Sequence, residues 1–129
     1  MKRYDRVQQV KVLMATVILA VLFICEIALA QKAEEGLANF YSDDFQGKKM
    51  SNGEPYDKNK LTASHKKYAL GTKLKVTNLE NGDSVVVTVT DRMAQKNPAV
   101  IDVSRRAAEE LGLVKTGKAR VKLETAPSK

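Results

Sequence analysis

Nine consecutive residues constrain this chain more than any others: Ser84-Val85-Val86-Val87-Thr88-Val89-Thr90-Asp91-Arg92. The β-branched run is stiff at χ1 and suited to a pleated surface. Its unbroken valines predict a strand covered on both faces rather than one half exposed to water. At its C-terminal end stands Asp91, an acid on rigid backbone with its head free to reach a surface groove. A catalytic or ligand-binding carboxylate is best held in such a place. The plain alternative is an Asp that opens a turn and pairs with Arg92.

The flanking chain supplies partners for this strand. Asn81-Gly82 is a strong hairpin signal and joins Ser84–Arg92 to a preceding strand over Lys73–Thr77, with Leu74 and Val76 on one face. Alternation also predicts strands over Gly36–Tyr41, with Leu37 and Phe40 in the core, and over Leu61–His65, Val100–Val103 and Arg120–Glu124. Ser104 is a good helix N-cap, Ala107, Ala108 and Leu111 follow at helical spacing, and Gly112 suits a left-handed C-cap. Arg105 and Arg106 come before Glu109 and Glu110, against the helix dipole, so packing must hold this helix. Between the first two strands, Ser42–Lys60 is a long irregular segment, and long loops in small domains are often functional. Its turn Ser51-Asn52-Gly53-Glu54 fixes where Glu54 and Tyr56 project. The sum is a mainly β fold, a small barrel of short strands with one helix.

The first thirty residues do not belong to that fold. Lys2, Arg3, Arg6 and Lys11 form a basic region, Val12–Cys25 is apolar except for Thr16, and Ala28-Leu29-Ala30 has the small-x-small pattern of a signal peptidase site. A secretory signal, residues 1–30, is therefore expected, cleaved after Ala30. The alternative is an uncleaved anchor. Leu22-Phe23-Ile24-Cys25 faintly resembles a lipidation box, although bulky Ile24 stands where a small residue is wanted. Residues 31–129 then make one domain, with Gln31–Glu35 a loose N-terminus. The whole chain carries 22 Lys and Arg against 15 Asp and Glu, and the leader holds four of those bases and two of those acids, which leaves +5 on the domain. That balance suits an anionic partner such as wall polymer or a membrane surface. With few aromatics and an export signal, nucleic acid is not expected as a partner.

Taken in order, the motifs resemble a known family. They begin with Ala38-Asn39-Phe40-Tyr41, Met50-Ser51-Asn52-Gly53-Glu54-Pro55-Tyr56-Asp57 and Leu61-Thr62-Ala63-Ser64-His65. They continue with Leu70-Gly71-Thr72, Val76-Thr77-Asn78, Asn81-Gly82 and Val89-Thr90-Asp91-Arg92, and close with Ile101-Asp102-Val103-Ser104, Ala107-Ala108 and Leu111-Gly112. The chain is similar over Gly36–Leu123 to the rare lipoprotein A family, peptidoglycan lytic transglycosylases related in fold to expansins. The resemblance implies a six-stranded double-psi β-barrel directed at the cell wall; the leader fits export to the periplasm or cell envelope, the single histidine offers no His-based metal cluster, and a monomer without cofactor is expected. The resemblance also implies peptidoglycan glycan strands as partner; membrane association, through the N-terminal segment or a lipidated Cys25, is the expectation that the leader itself raises.

By the same resemblance, the reaction breaks the β-1,4 bond between N-acetylmuramic acid and N-acetylglucosamine without water, the muramic acid 6-hydroxyl attacking to leave a 1,6-anhydro end. One carboxyl serving as acid and then base needs a pKa well above the ordinary value of about 3.9. Asp91 matches the family's catalytic acid, and His65 matches its essential histidine, expected to orient that carboxyl or the substrate. Glu54, Tyr41, Tyr56 and Arg92 are the candidate substrate-binding residues, the tyrosines by stacking on sugar faces. One departure stands beside the acid: the family has Gly-Pro after Asp91-Arg92, and this chain has Met93-Ala94, which is expected to alter the loop and re-aim Asp91. The alternative function is an expansin-like module that binds peptidoglycan or another polysaccharide without cutting it.

Overall fold

The computed structural model describes residues 5–30 and 33–127. Two units follow each other along the chain, Met1–Lys32 and Ala33–Lys129. Helix α1, Arg6–Ala30, makes up the first. Among the described residues no helix is long and apolar enough to cross a membrane. The side chains of Cys25 and of Ala28-Leu29-Ala30 lie outside the described residues, as does Gln31, so the lipidation and cleavage readings rest on the sequence.

The second unit is the barrel. Its strands are β1 (Glu34–Phe40), β2 (Thr62–His65), β3 (Lys73–Asn78), β4 (Ser84–Arg92), β5 (Ile101–Val103) and β6 (Ala119–Thr125), with helix α2 (Arg105–Leu111) between β5 and β6. They close in the order β1-β5-β2-β4-β3-β6. The pairs β1–β5 and β2–β4 are parallel, and the other four are antiparallel. Closure leaves no open sheet edge. Ala38, Ala63, Leu74, Val76, Val87, Val89, Ile101 and Val103 fill the interior together with residues from β6 and α2. Phe40 packs against the same cluster.

Two core expectations need correction. Val86 is 43% exposed while Val85, Val87 and Val89 are buried, so β4 has one covered face over its valines. A barrel strand shows its second face to the outside, and a run of valines cannot report that. Leu37 is 36% exposed because Ala38 takes the inward position in β1. Glu34 and Glu35, expected in a loose terminus, pair with Leu123 and Lys122 of β6.

Helix α2 forms as its caps require. Ser104 Oγ accepts from the Ala107 N–H at 3.3 Å and donates to the Lys60 carbonyl at 2.6 Å, so the cap also ties α2 to the entry of β2. Gly112 closes the helix at φ 71°. Asn78 and Asn81, at the β3–β4 hairpin, both donate to the Leu111 carbonyl. Ala107, Ala108 and Leu111 are fully buried, which offsets the unfavourable charge order.

Candidate active site

Register decides what shares a surface here. In β1, β2 and β5, Ala38, Ala63 and both Ile101 and Val103 point inward, so Asn39, Ser64 and Asp102 point outward. Asn39 pairs with Asp102, and Asp102 pairs with Ser64. Strand β4 would break this rank, because Asp91 has the parity of the inward valines. A bulge corrects it: Ala63 pairs with Val89, but the next residue, Ser64, pairs with Asp91, leaving Thr90 as the extra residue. The bulge re-aims Asp91 to the outer face. Asn39, Asp102, Ser64 and Asp91 thus line up across four adjacent strands. With β2 between them, the Asp91 and Asp102 Cα atoms are about 10 Å apart at ordinary strand spacing.

These four residues line a groove of about 650 Å³. Phe40, Tyr41, Phe45, Arg92, Met93 and Ala94 are among the other residues that line it. The segment 48–56 folds back on itself, with Met50 N–H donating to the Glu54 carbonyl at 2.8 Å and Asn52 Oδ1 accepting from the Glu54 N–H at 3.0 Å. Asn52 N–H also donates to the carbonyl of the bulged Thr90 at 3.1 Å, which seats the turn on β4.

That seat brings Ser51 onto Asp91. Oδ1 accepts from the Ser51 N–H at 2.9 Å, the Ser51 hydroxyl at 2.7 Å and the Arg92 N–H at 2.9 Å, while Oδ2 accepts from the Tyr41 phenol at 2.6 Å. Burial pushes the Asp91 pKa up, but the Tyr41, Ser51 and Arg92 donors outweigh it and hold the carboxyl below the ordinary value. Asp102 is the reverse case. Among the described residues no donor reaches its carboxyl, and burial, reinforced by the Asp91 charge, pushes its pKa up. Two carboxyls in one groove are driven apart, one toward the charged and one toward the neutral form.

The remaining sequence candidates fall elsewhere. His65 is 2% exposed and is not among the groove-lining residues. Its Nδ1 accepts the N–H groups of Lys67 at 3.0 Å and Tyr68 at 3.2 Å, and its Nε2 lies 3.5 Å from the Glu34 carboxylate. Its Nδ1 contacts tie the ring to the turn that follows β2, and neither nitrogen has a contact with Asp91. Tyr56 is 1% exposed and cannot meet a sugar face. It stacks on Tyr41, with centroids 4.6 Å apart and planes 23° apart. Glu54, expected to line the groove, is exposed and is not among the groove-lining residues; Ser51 of the same turn is the residue that reaches Asp91. Arg92 lines the groove, yet one guanidinium nitrogen is committed to the carbonyls of His65 at 3.1 Å and Tyr68 at 2.8 Å.

The Met93-Ala94 departure is absorbed without strain. Among the described residues no non-glycine residue has positive φ, so the loop does not need a glycine there. Met93 is 7% exposed and its side chain closes the groove wall.

Asp102, Ser51, Ser64 and Asn39 were not singled out from the sequence as site residues. Asp102, Asn39 and Ser64 each carry a faint signal, one polar residue at the outward position of a short strand. Only the register shows that they are neighbours.

Comparison with known proteins agrees with this architecture. Residues 33–123 match the family model described as lytic transglycolase, a double-psi β-barrel family. The chain is 45% identical over 98 residues to the endolytic peptidoglycan transglycosylase RlpA of Campylobacter jejuni, covering 76% of this chain and 35% of that protein. It is 44% identical over 96 residues to the RlpA of Neisseria meningitidis, covering 74% of this chain and 40% of the relative. The chain therefore spans well under half the length of these relatives. Among solved structures, a Streptomyces papain inhibitor superposes with a TM-score of 0.60 at 18% identity, over 74% of this chain and 94% of that one. A Clavibacter michiganensis expansin superposes at 0.59 and 23% identity, over 75% of this chain and 52% of the expansin. These two share the fold. By the family match and the curated relatives together, the chain belongs to the lytic transglycolase family, as an RlpA-like double-psi β-barrel.

Proposed function

We propose that the barrel cleaves peptidoglycan glycan strands as a lytic transglycosylase, with Asp102 as the general acid and Asp91 as the general base. The observation that carries this reading is the pair of carboxyls, Asp91 on β4 and Asp102 on β5, that flank β2 and line one groove; burial raises the pKa of Asp102 while hydrogen-bond donors lower that of Asp91. Breaking the MurNAc–GlcNAc bond without water requires a proton for the leaving oxygen and removal of the proton from the attacking 6-hydroxyl. Asp102, whose pKa burial and the Asp91 charge push up, gives the first when protonated. A charged Asp91 takes the second, and its two hydroxyl donors, Tyr41 and Ser51, hold its oxygens in place. The net proton balance of the reaction is zero, one given and one received. This differs from the single raised carboxyl expected of Asp91, whose pKa lies low instead of high.

The curated relatives are named for this activity. An expansin neighbour was crystallised with cellohexaose, another β-1,4 glycan, which fits a groove of this kind for an extended sugar chain. Exposed Phe45 in the groove wall offers a ring face to such a chain. On this reading residues 1–30 direct export and residues 31–129 form the working domain in the cell envelope.

The test is a digest of purified peptidoglycan with product masses read by mass spectrometry, alongside Asp91→Asn and Asp102→Asn. Anhydro-muropeptides that disappear in both variants support the assignment. No products, with the protein still sedimenting with the wall, would make this a binding module. Products that persist in Asp102→Asn would return both proton transfers to Asp91.

A further inference from the structure

Tyr41 and Tyr56 lie next to the groove and look, from sequence, like a platform for sugar rings. Their contacts point elsewhere. Tyr41 spends its hydroxyl on Asp91 Oδ2 at 2.6 Å, the shortest of the contacts on that carboxylate. The ring is fixed from two sides: Tyr56 stacks on it at 4.6 Å and Phe45 meets it edge-on at 5.7 Å and 70°. Tyr56 is itself anchored. Its hydroxyl accepts from the Arg105 N–H at 3.1 Å, at the start of α2, and its backbone bonds to Gly47 and Lys48 at 2.9 and 2.7 Å.

We propose that the Tyr41–Tyr56 stack is a positioning device for Asp91: α2 fixes Tyr56, Tyr56 fixes the Tyr41 ring, and the Tyr41 hydroxyl holds Asp91 Oδ2 as a charged, correctly aimed acceptor. The proposal rests on the reading of Asp91 as the base, and it assigns both tyrosines a role other than contact with sugar. Burial together with the neighbouring Asp91 keeps the phenol protonated across the working range, so it acts as a permanent donor. The charged and titratable groups around this unit are Asp102 on β5, Arg92 on β4, and Asp43, Asp57 and Arg105 about Tyr56. Tyr41→Phe leaves all of them in place and removes one hydroxyl.

That substitution separates the two roles, because it keeps the ring and loses the donor. In the full chain with ¹³C-labelled aspartate, Tyr41→Phe is expected to raise the Asp91 carboxyl midpoint by about one unit, the scale of one charge-assisted hydrogen bond. In turnover, kcat is expected to fall about tenfold or more with KM unchanged, and the acid limb of the pH profile moves to higher pH. Tyr56→Phe, which frees the Arg105 N–H but keeps the stack, should move the same quantities less. A sugar platform predicts the opposite: near-normal rates for both variants, and a raised KM only when Tyr41 becomes Leu. An unmoved Asp91 midpoint in Tyr41→Phe, with the fold intact by circular dichroism, overturns the proposal. The NMR arm needs no turnover. A shifted midpoint in a protein that releases no products would therefore keep the positioning role and sink the cleavage reading instead.

Discussion

Replacing His65 tests whether the geometry or the family pattern describes that residue. In the barrel its ring is 2% exposed, Nδ1 accepts two backbone N–H groups, and Tyr68 packs on it with centroids 4.6 Å apart. His65→Ala leaves the Lys67 and Tyr68 N–H groups without this acceptor, at about 1 kcal/mol each, and forfeits the ring contact, about another 1 kcal/mol. The sum is about 3 kcal/mol, which in a domain near 100 residues lowers Tm by roughly 15 °C. His65→Asn should lose about half as much, since an Asn side-chain oxygen can accept the N–H two residues on. The assay is thermal unfolding by circular dichroism, run beside wall-digestion activity at a temperature where both variants are folded. A His65→Ala chain with unchanged Tm and abolished activity would refute this reasoning and return His65 to the chemistry.

Acid should act through the same residue. Burial lowers the His65 pKa, with Arg92 and Lys66 adding to the effect and Glu34 opposing it, so the folded state keeps the ring neutral. The unfolded chain binds the extra proton below about pH 6.5, and stability falls from there down to the lowered folded-state value; Tm against pH should show that loss, reduced in His65→Asn. Ser51→Ala removes a 2.7 Å donor from Asp91, which raises the Asp91 midpoint and moves the acid limb of activity to higher pH. Asp91→Asn takes away the charge that elevates Asp102, so the Asp102 midpoint should fall in a ¹³C titration. Gly36→Ala puts a Cβ 2.4 Å from Val100 Cγ1 and should cost about 1–3 kcal/mol in urea unfolding, largely restored by adding Val100→Ala.

Much of the barrel was legible because its signals are local. Ser104, Gly112, Asn81-Gly82 and the Leu74–Val76 alternation each act within a few residues, and the structure uses each as expected. Asp91 was legible as an acid at the end of a strand. Its environment was not, because Ser51 and Tyr41 reach it from 40 and 50 residues away, and the bulge at Thr90 that turns it outward exists only in the pairing with β2. Asp102 escaped notice for the same reason. Between Ile101 and Val103 it reads as one polar residue in a short strand, and only the β2–β5 and β2–β4 ladders set it across from Asp91. The burial of His65 was not legible either: a lone histidine in a motif suggests chemistry, and only the fold shows its Nδ1 accepting two backbone N–H groups of the next turn.

The most direct test of the account is the origin of the oxygen at the newly formed end. Peptidoglycan digested by the full chain in ¹⁸O-enriched water, with products separated and weighed, distinguishes attack by the sugar's own hydroxyl from attack by solvent. Cleavage by Asp102 as acid and Asp91 as base on the 6-hydroxyl predicts anhydro-ended fragments that carry no ¹⁸O. Reducing-end fragments that each carry one ¹⁸O would show that water is the nucleophile and contradict the mechanism drawn from this groove.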